Sequence, residues 1–121
     1  MFALTPATRI FVALDPVDLR GSFNRLYAWV EQRLAEDPLS GHLYVFTNRQ
    51  RNRVKILTWD GSGLWICAKR VEGGRLGWPQ GEGVAAQLRA EELLALLSGL
   101  EVRARRGWYR RENVHEKCIR Y

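Results

Sequence analysis

"GHLYVFTNRQRNRVKILTWDGSGLWICAKRV", residues 41 to 71, is the stretch whose reading decides the fold. Gly41 to Phe46 is a continuous apolar run of strand length, as expected of a strand covered on both faces. Val54 to Trp59 and Leu64 to Val71 are two further β-prone segments. Between them, Asp60-Gly61-Ser62-Gly63 reads as a tight hairpin turn, because glycine tolerates the positive φ that such turns need. Together these segments predict a three-stranded antiparallel meander.

Upstream, "RIFVAL" (Arg9 to Leu14) is short, apolar and β-prone, and predicts a first strand. "DPVD" follows and reads as a helix start, with Asp15 as N-cap, Pro16 at the first helical position and Asp18 in the first turn. Leu19, Phe23, Leu26, Val30 and Leu34 then recur at helical spacing, which predicts a long helix stopped by Pro38. Downstream, Glu72 to Gly83 holds five glycines and a proline, so it should be irregular and exposed. Val84 to Leu88 is compatible with either a short edge strand or the opening of a helix. A short second helix is expected over Ala90 to Ser98, with Leu93, Leu96, Leu97 and Leu100 on its apolar face and Gly99 past its end. The expectation is a compact α+β domain over residues 1–100, its helices on one face of the sheet, followed by a basic C-terminal tail over 101–121.

At 121 residues and 46% hydrophobic, the chain can bury a core without disulfides or metal. Nineteen Lys and Arg against 13 Asp and Glu give a net charge of +6, which favours polyanionic partners. The lone Cys67 and Cys118 exclude a disulfide framework and fit a reducing compartment. The N-terminal apolar run, Ile10 to Leu14, is too short for a signal peptide. No stretch approaches the roughly 20 apolar residues of a membrane span. A cytoplasmic protein with no membrane partner is therefore expected.

Chemistry-bearing motifs are few. His115 and Cys118 lie in an H-x-x-C arrangement, but a zinc site would need His42 and Cys67 from distant strands to complete it. Asp15, Asp18 and Asp60 could in principle gather around a divalent ion as nuclease carboxylates do. Capping and turn roles explain all three without catalysis. No G-x-S-x-G, Walker A or G-x-G-x-x-G pattern appears, and no cofactor is expected.

The basic residues are richer. Arg49, Arg51 and Arg53 alternate, with Lys55 next, so an extended backbone would place all four on one side. Lys69, Arg70 and Arg75 follow, making seven basic residues between Thr47 and Arg75 against Asp60 and Glu72 alone. Such a stripe could neutralise consecutive phosphates, or it could be a solvated connection. The tail sets Trp108 and Tyr109 between Arg105 with Arg106 and Arg110 with Arg111, a pattern able to pair with phosphate and stack on unpaired bases. A flexible tail, or a helix docking its aromatics on the domain, explains it equally. Trp59 and Trp65 flank the hairpin turn and are expected to pack across the strands, whereas Trp29 lies off the helical stripe as a candidate interface residue.

"PVDLRGSFNRL", then "GHLYVFTNRQRNRVKILTWDGSGLWICAKRVEGGRLGWP", then "RAEELLALLSGL" closely resemble the small accessory protein of insertion sequence 66-type mobile elements. That protein is the product of their second reading frame, also called TnpB-type. It is distinct from the much larger RNA-guided nucleases that share the label. The resemblance spans residues 4 to 100, and its most specific part is Gly41 to Pro79. It implies a role in transposition, beside the element's larger DDE transposase, and the first reading is a non-catalytic accessory factor that binds DNA. DNA and that transposase are the expected partners. The rival readings are a protein–protein adaptor that does not touch DNA, and a metal-dependent nuclease using Asp18 and Asp60.

Overall fold

The computed structural model describes residues 4–99. Arg105, Arg106, Arg110, Arg111, His115 and Cys118 of the tail lie outside them. Five strands form one mixed sheet: β1 Ile10–Ala13, β2 Leu43–Thr47, β3 Arg53–Trp59, β4 Leu64–Arg70 and β5 Ala85–Leu88. Their order across the sheet is β4-β3-β2-β1-β5. β2, β3 and β4 are the antiparallel meander, with Val45 opposite Ile56 and Ile56 opposite Cys67. β2 lies at the centre and is buried along its whole length, which is why it carries no polar alternation. β1 runs parallel to β2, with Phe11 opposite Tyr44, so the chain must cross over between them, and it does so through α1, Phe23–Trp29. Val84 to Leu88 resolves as an edge strand rather than a helix opening, with β5 antiparallel to β1.

The two helices lie on opposite faces of the sheet, not on one. Alternate residues of β1 and β2 divide the core in two. Ile10, Val12, Leu43 and Val45 pack with Leu93 and Leu96 of α2 (Ala90–Leu97), and Phe11, Ala13, Tyr44 and Phe46 pack with Leu26 of α1 and Val30 just after it. Leu26 is fully buried, and truncating it to alanine should cost about 2–5 kcal/mol.

Expectations for the first helix and the glycine-rich segment also fail. The helix does not start at Asp15. The Val17 N–H donates to Thr47 O at 2.9 Å, which holds residues 16–20 against the end of β2, and Asp18 closes a turn on Arg20 instead of capping a helix. Helix α1 begins seven residues later, after Ser22, and Leu19 reaches the core from the preceding turn while Phe23 stays exposed. After seven residues it continues as a π-helical stretch, Val30–Leu34, ended by Ala35 in the left-handed region at φ 59° before Pro38 is reached. The glycine-rich segment is irregular but not exposed throughout. Leu76 and Trp78 are buried, and Trp78 Nε1 donates to Ala13 O of β1 at 2.7 Å.

Trp59 and Trp65 do not face each other. Trp65 is opposite Thr58 and Trp59 opposite Leu64, so the two rings lie on different faces. Trp65 donates its indole N–H to Asp60 at 2.6 Å. Trp29 is half-buried and packs edge-on against Phe46, with Arg33 over its ring.

Candidate nucleic-acid interface

The connection 48–52 is a built structure, not a slack turn. Asn48 Oδ1 accepts from the N–H groups of Asn52 and Arg53, at 3.1 and 3.2 Å, and its Nδ2 donates to Asn52 Oδ1 at 2.7 Å. Thr47 Oγ1 donates to Arg53 O at 2.8 Å. Residues 71–76 brace it from outside, since Val71 N–H donates to Asn52 O and Leu76 N–H to Arg51 O, both at 2.8 Å. Backbone groups are thus paired within the protein, leaving Arg49 and Gln50 at the exposed tip.

This connection faces the segment that follows β1, and between them lies a cavity of about 760 Å³. Arg20, Arg49, Arg53 and Lys55 line it, and Asp18 is the one carboxylate on its wall among the described residues. Both walls are loops that follow the C-terminal ends of the parallel pair β1 and β2, the place where open α/β sheets commonly bind ligands. Lys55 is half-buried, and its Nζ donates to Leu19 O at 2.7 Å and Gly21 O at 3.4 Å. It therefore ties β3 to the opposite wall, and its third N–H remains. Asp18 receives Arg20 Nε at 3.0 Å and Arg20 Nη2 at 2.8 Å, with Arg25 Nη1 3.9 Å away. Hydrogen bonds from the Arg20 side chain, then from its backbone N–H, hold the Asp18 carboxyl well below the usual carboxylate range. The same pairing raises the Arg20 guanidinium above its ordinary value.

The seven basic residues expected to act together are only partly brought together. Arg49, Arg53 and Lys55 share the cavity. Arg51 leaves the stripe because its φ is 57°, in the left-handed region, which breaks the extended alternation. With the Gln80 amide turned so that its oxygen faces Arg51, that oxygen accepts from both terminal guanidinium nitrogens at 2.9 and 3.1 Å. Lys69 lies on the other face and donates to Leu97 O at the end of α2, where a cation suits the helix dipole. Arg75 Nε donates to Gln50 O at 3.2 Å. Arg70 pairs with Glu72 at 2.8 Å, an exposed ion pair of small worth.

Arg53 and Arg70 stand directly opposite each other on β3 and β4. Like charges so placed are unfavourable. No hydrogen bond or ion pair of the Arg53 or Arg49 side chain is formed among the described residues. Arg20 is the residue that sequence reasoning missed, since only the fold carries the turn after β1 across to the arginines.

A family model described as IS66 Orf2-like protein matches residues 8–107. The chain belongs to the IS66 Orf2-like family. Two relatives in Sinorhizobium fredii (strain NBRC 101917 / NGR234), both titled uncharacterized proteins, are similar to it. The protein y4jC is 37% identical over 93 residues, covering 77% of this chain and 80% of its own. The protein y4hO is 36% identical over 95 residues, covering 78% and 83%. No solved structure matches. As an IS66 Orf2-like protein the chain has an accessory role associated with insertion-sequence transposition.

The carboxylates of this IS66 Orf2-like chain do not converge. Asp60 closes the far end of β3, a seven-residue strand about 20 Å long, whereas Asp18 lies by its near end. Asp60 Oδ1 accepts from Ser62 N–H at 2.8 Å and Gly63 N–H at 2.9 Å. The Ser62 amide, then the Trp65 indole, hold its carboxyl well below the usual range. Among the described residues no three His, Cys, Asp or Glu side chains converge on a metal position. His42 Nδ1 accepts from the Arg9 N–H at 3.0 Å, which gives it a structural role. No described helix is long and apolar enough to cross a membrane.

Proposed function

We propose that this chain is a non-catalytic accessory factor of transposition that binds DNA through phosphate contacts and works beside the transposase of its element. Arg49 and Arg53 are the principal contacts, with Lys55 and Arg20 at the cleft behind them and Arg70 and Arg75 at its outer margin. The observation that carries this reading is the placement of Arg49 and Arg53 on one braced cleft, with Arg53 opposed by Arg70 rather than by a carboxylate. A rigid edge bearing cations with few internal partners suits the phosphate backbone, whose contacts position a protein without reading sequence. Asp18 and Asp60 are occupied in local turns, which supports a binding role over metal-dependent cleavage.

The test is an anisotropy titration of the full chain against salt, with a duplex from the element's ends and an unrelated duplex. Binding that weakens steeply with salt supports the reading, and tighter binding to the element's ends would add sequence preference to it. No affinity for either duplex at moderate salt, together with co-purification of the transposase, would replace it with the adaptor reading.

A further inference from the structure

We infer that the cleft between residues 16–20 and 48–53 receives a terminal phosphate, the phosphomonoester at the end of a nucleic-acid strand, rather than the internal phosphodiesters of a strand passing through. The inference rests on the DNA-binding reading and narrows it to one kind of ligand.

Charge is the first ground. Arg20, Arg49, Arg53 and Lys55 surround one carboxylate, that of Asp18. An internal phosphodiester brings a single negative charge, whereas a terminal monoester carries about −1.5 to −2 at neutral pH. A concave site with several cations gains more from the second charge than a flat face does, because its walls limit screening by water.

Closure is the second ground. The Val17 N–H to Thr47 O bond joins the two walls at the end of the parallel strands, and the Lys55 bonds to Leu19 O and Gly21 O join them again at the floor. These ties hold the two walls in place around a pocket that a strand end can enter. The remaining Lys55 N–H then meets the phosphate from below, and Arg49 and Arg53 from the open side.

Asp18 supplies the third ground. Its carboxylate takes a forked pair of N–H groups from Arg20 and a backbone N–H from the same residue, the donor set that also suits a phosphate oxygen. The wall therefore already holds one oxyanion of the protein's own. A dianion entering the cleft competes with it for Arg20, so Asp18 weakens binding of the phosphate.

The experiment compares three forms of one short single-stranded oligonucleotide on the full chain: 5′-phosphorylated, 3′-phosphorylated and unphosphorylated. A phosphorylated form should bind about tenfold tighter than the unphosphorylated one, because the terminal phosphate adds about −1.5 to −2 of charge near several cations. Asp18→Asn should widen that ratio, and the double variant Arg49→Ala/Arg53→Ala should abolish it. A mononucleotide added as competitor distinguishes the sources of the group. If it displaces the phosphorylated oligonucleotide at similar concentration, the ligand is the phosphomonoester alone; weak competition assigns it to a strand end. Equal binding of all three oligonucleotides overturns the inference while leaving DNA binding standing. No binding of any oligonucleotide or duplex overturns both.

Discussion

Strand β3 is bounded by two connections that solve the same backbone problem with different chemistry. At 60–63 the Asp60 carboxylate gathers the amides of Ser62 and Gly63, and Gly61 supplies a positive φ of 102°. At 48–52 the neutral Asn48 amide gathers the amides of Asn52 and Arg53, and the positive φ of 57° falls on Arg51. One end is charged, glycine-rich and self-sufficient. The other is uncharged at its organising residue and holds an arginine in a conformation glycine would adopt more cheaply. An aspartate at 48 would keep the acceptor for the Asn52 and Arg53 amides, but it would lose the Nδ2 donor to Asn52 and place a negative charge beside the arginines. The turn at 60–63 is organised by a carboxylate, whereas 48–52 is organised by a neutral amide and adds no negative charge beside Arg49 and Arg53.

The comparison breaks most visibly with charge reversal. Arg49→Glu/Arg53→Glu should lower DNA affinity by about a hundredfold or more, measured by anisotropy at low salt, because two phosphate contacts become repulsions. Far-ultraviolet circular dichroism should remain unchanged, since both side chains are exposed. Next in size is Asn48→Asp, which preserves an acceptor for Asn52 and Arg53 but adds one negative charge. It should weaken DNA binding by about fivefold with little change in melting temperature. A large loss of stability would show that the amide Nδ2 bonds, not neutrality, account for the asparagine.

Backbone strain provides a smaller effect. Arg51→Gly and Arg51→Ala both lose the contact with Gln80, but only glycine relieves the left-handed φ. The glycine variant should therefore be more stable than the alanine variant by about 1 kcal/mol in denaturant unfolding. The smallest effect concerns acid. The Asp60 carboxyl titrates below its ordinary value near 3.9, so its stabilising contribution is fully present above that pH and fades as pH falls below it. Melting temperature should vary little from pH 8 to 5 on account of this group and fall below about 4, and Asp60→Asn should reduce that fall without altering DNA affinity at neutral pH.

The sheet's centre was legible because its signals are local. A continuous apolar run, two β-prone segments and a glycine turn suffice for β2, β3 and β4. What escaped was set by contacts distant in sequence. "DPVD" carries every local mark of a helix start, yet the Val17 amide is taken by Thr47, thirty residues on, and no helix forms there. Leu76 and Trp78 lie in a segment without periodicity, so nothing in the pattern marks them as core. The arginine stripe failed at Arg51 because its left-handed φ comes from the braced loop and not from any preference of arginine. Lys69 follows the arginines in the sequence, but the alternation of β4 sends it to the face opposite Arg53, toward α2. Arg20 joined the cleft only through the crossover that brings the loops after β1 and β2 together.

The central claim is that Arg49 and Arg53 contact phosphates, and the salt dependence of duplex binding tests it most directly. Log affinity plotted against log salt concentration should be linear for the full chain. Its slope should be shallower by about two units for Arg49→Ala/Arg53→Ala, since each lost phosphate contact removes about 0.9. Parallel lines of equal affinity for the two proteins would contradict the account.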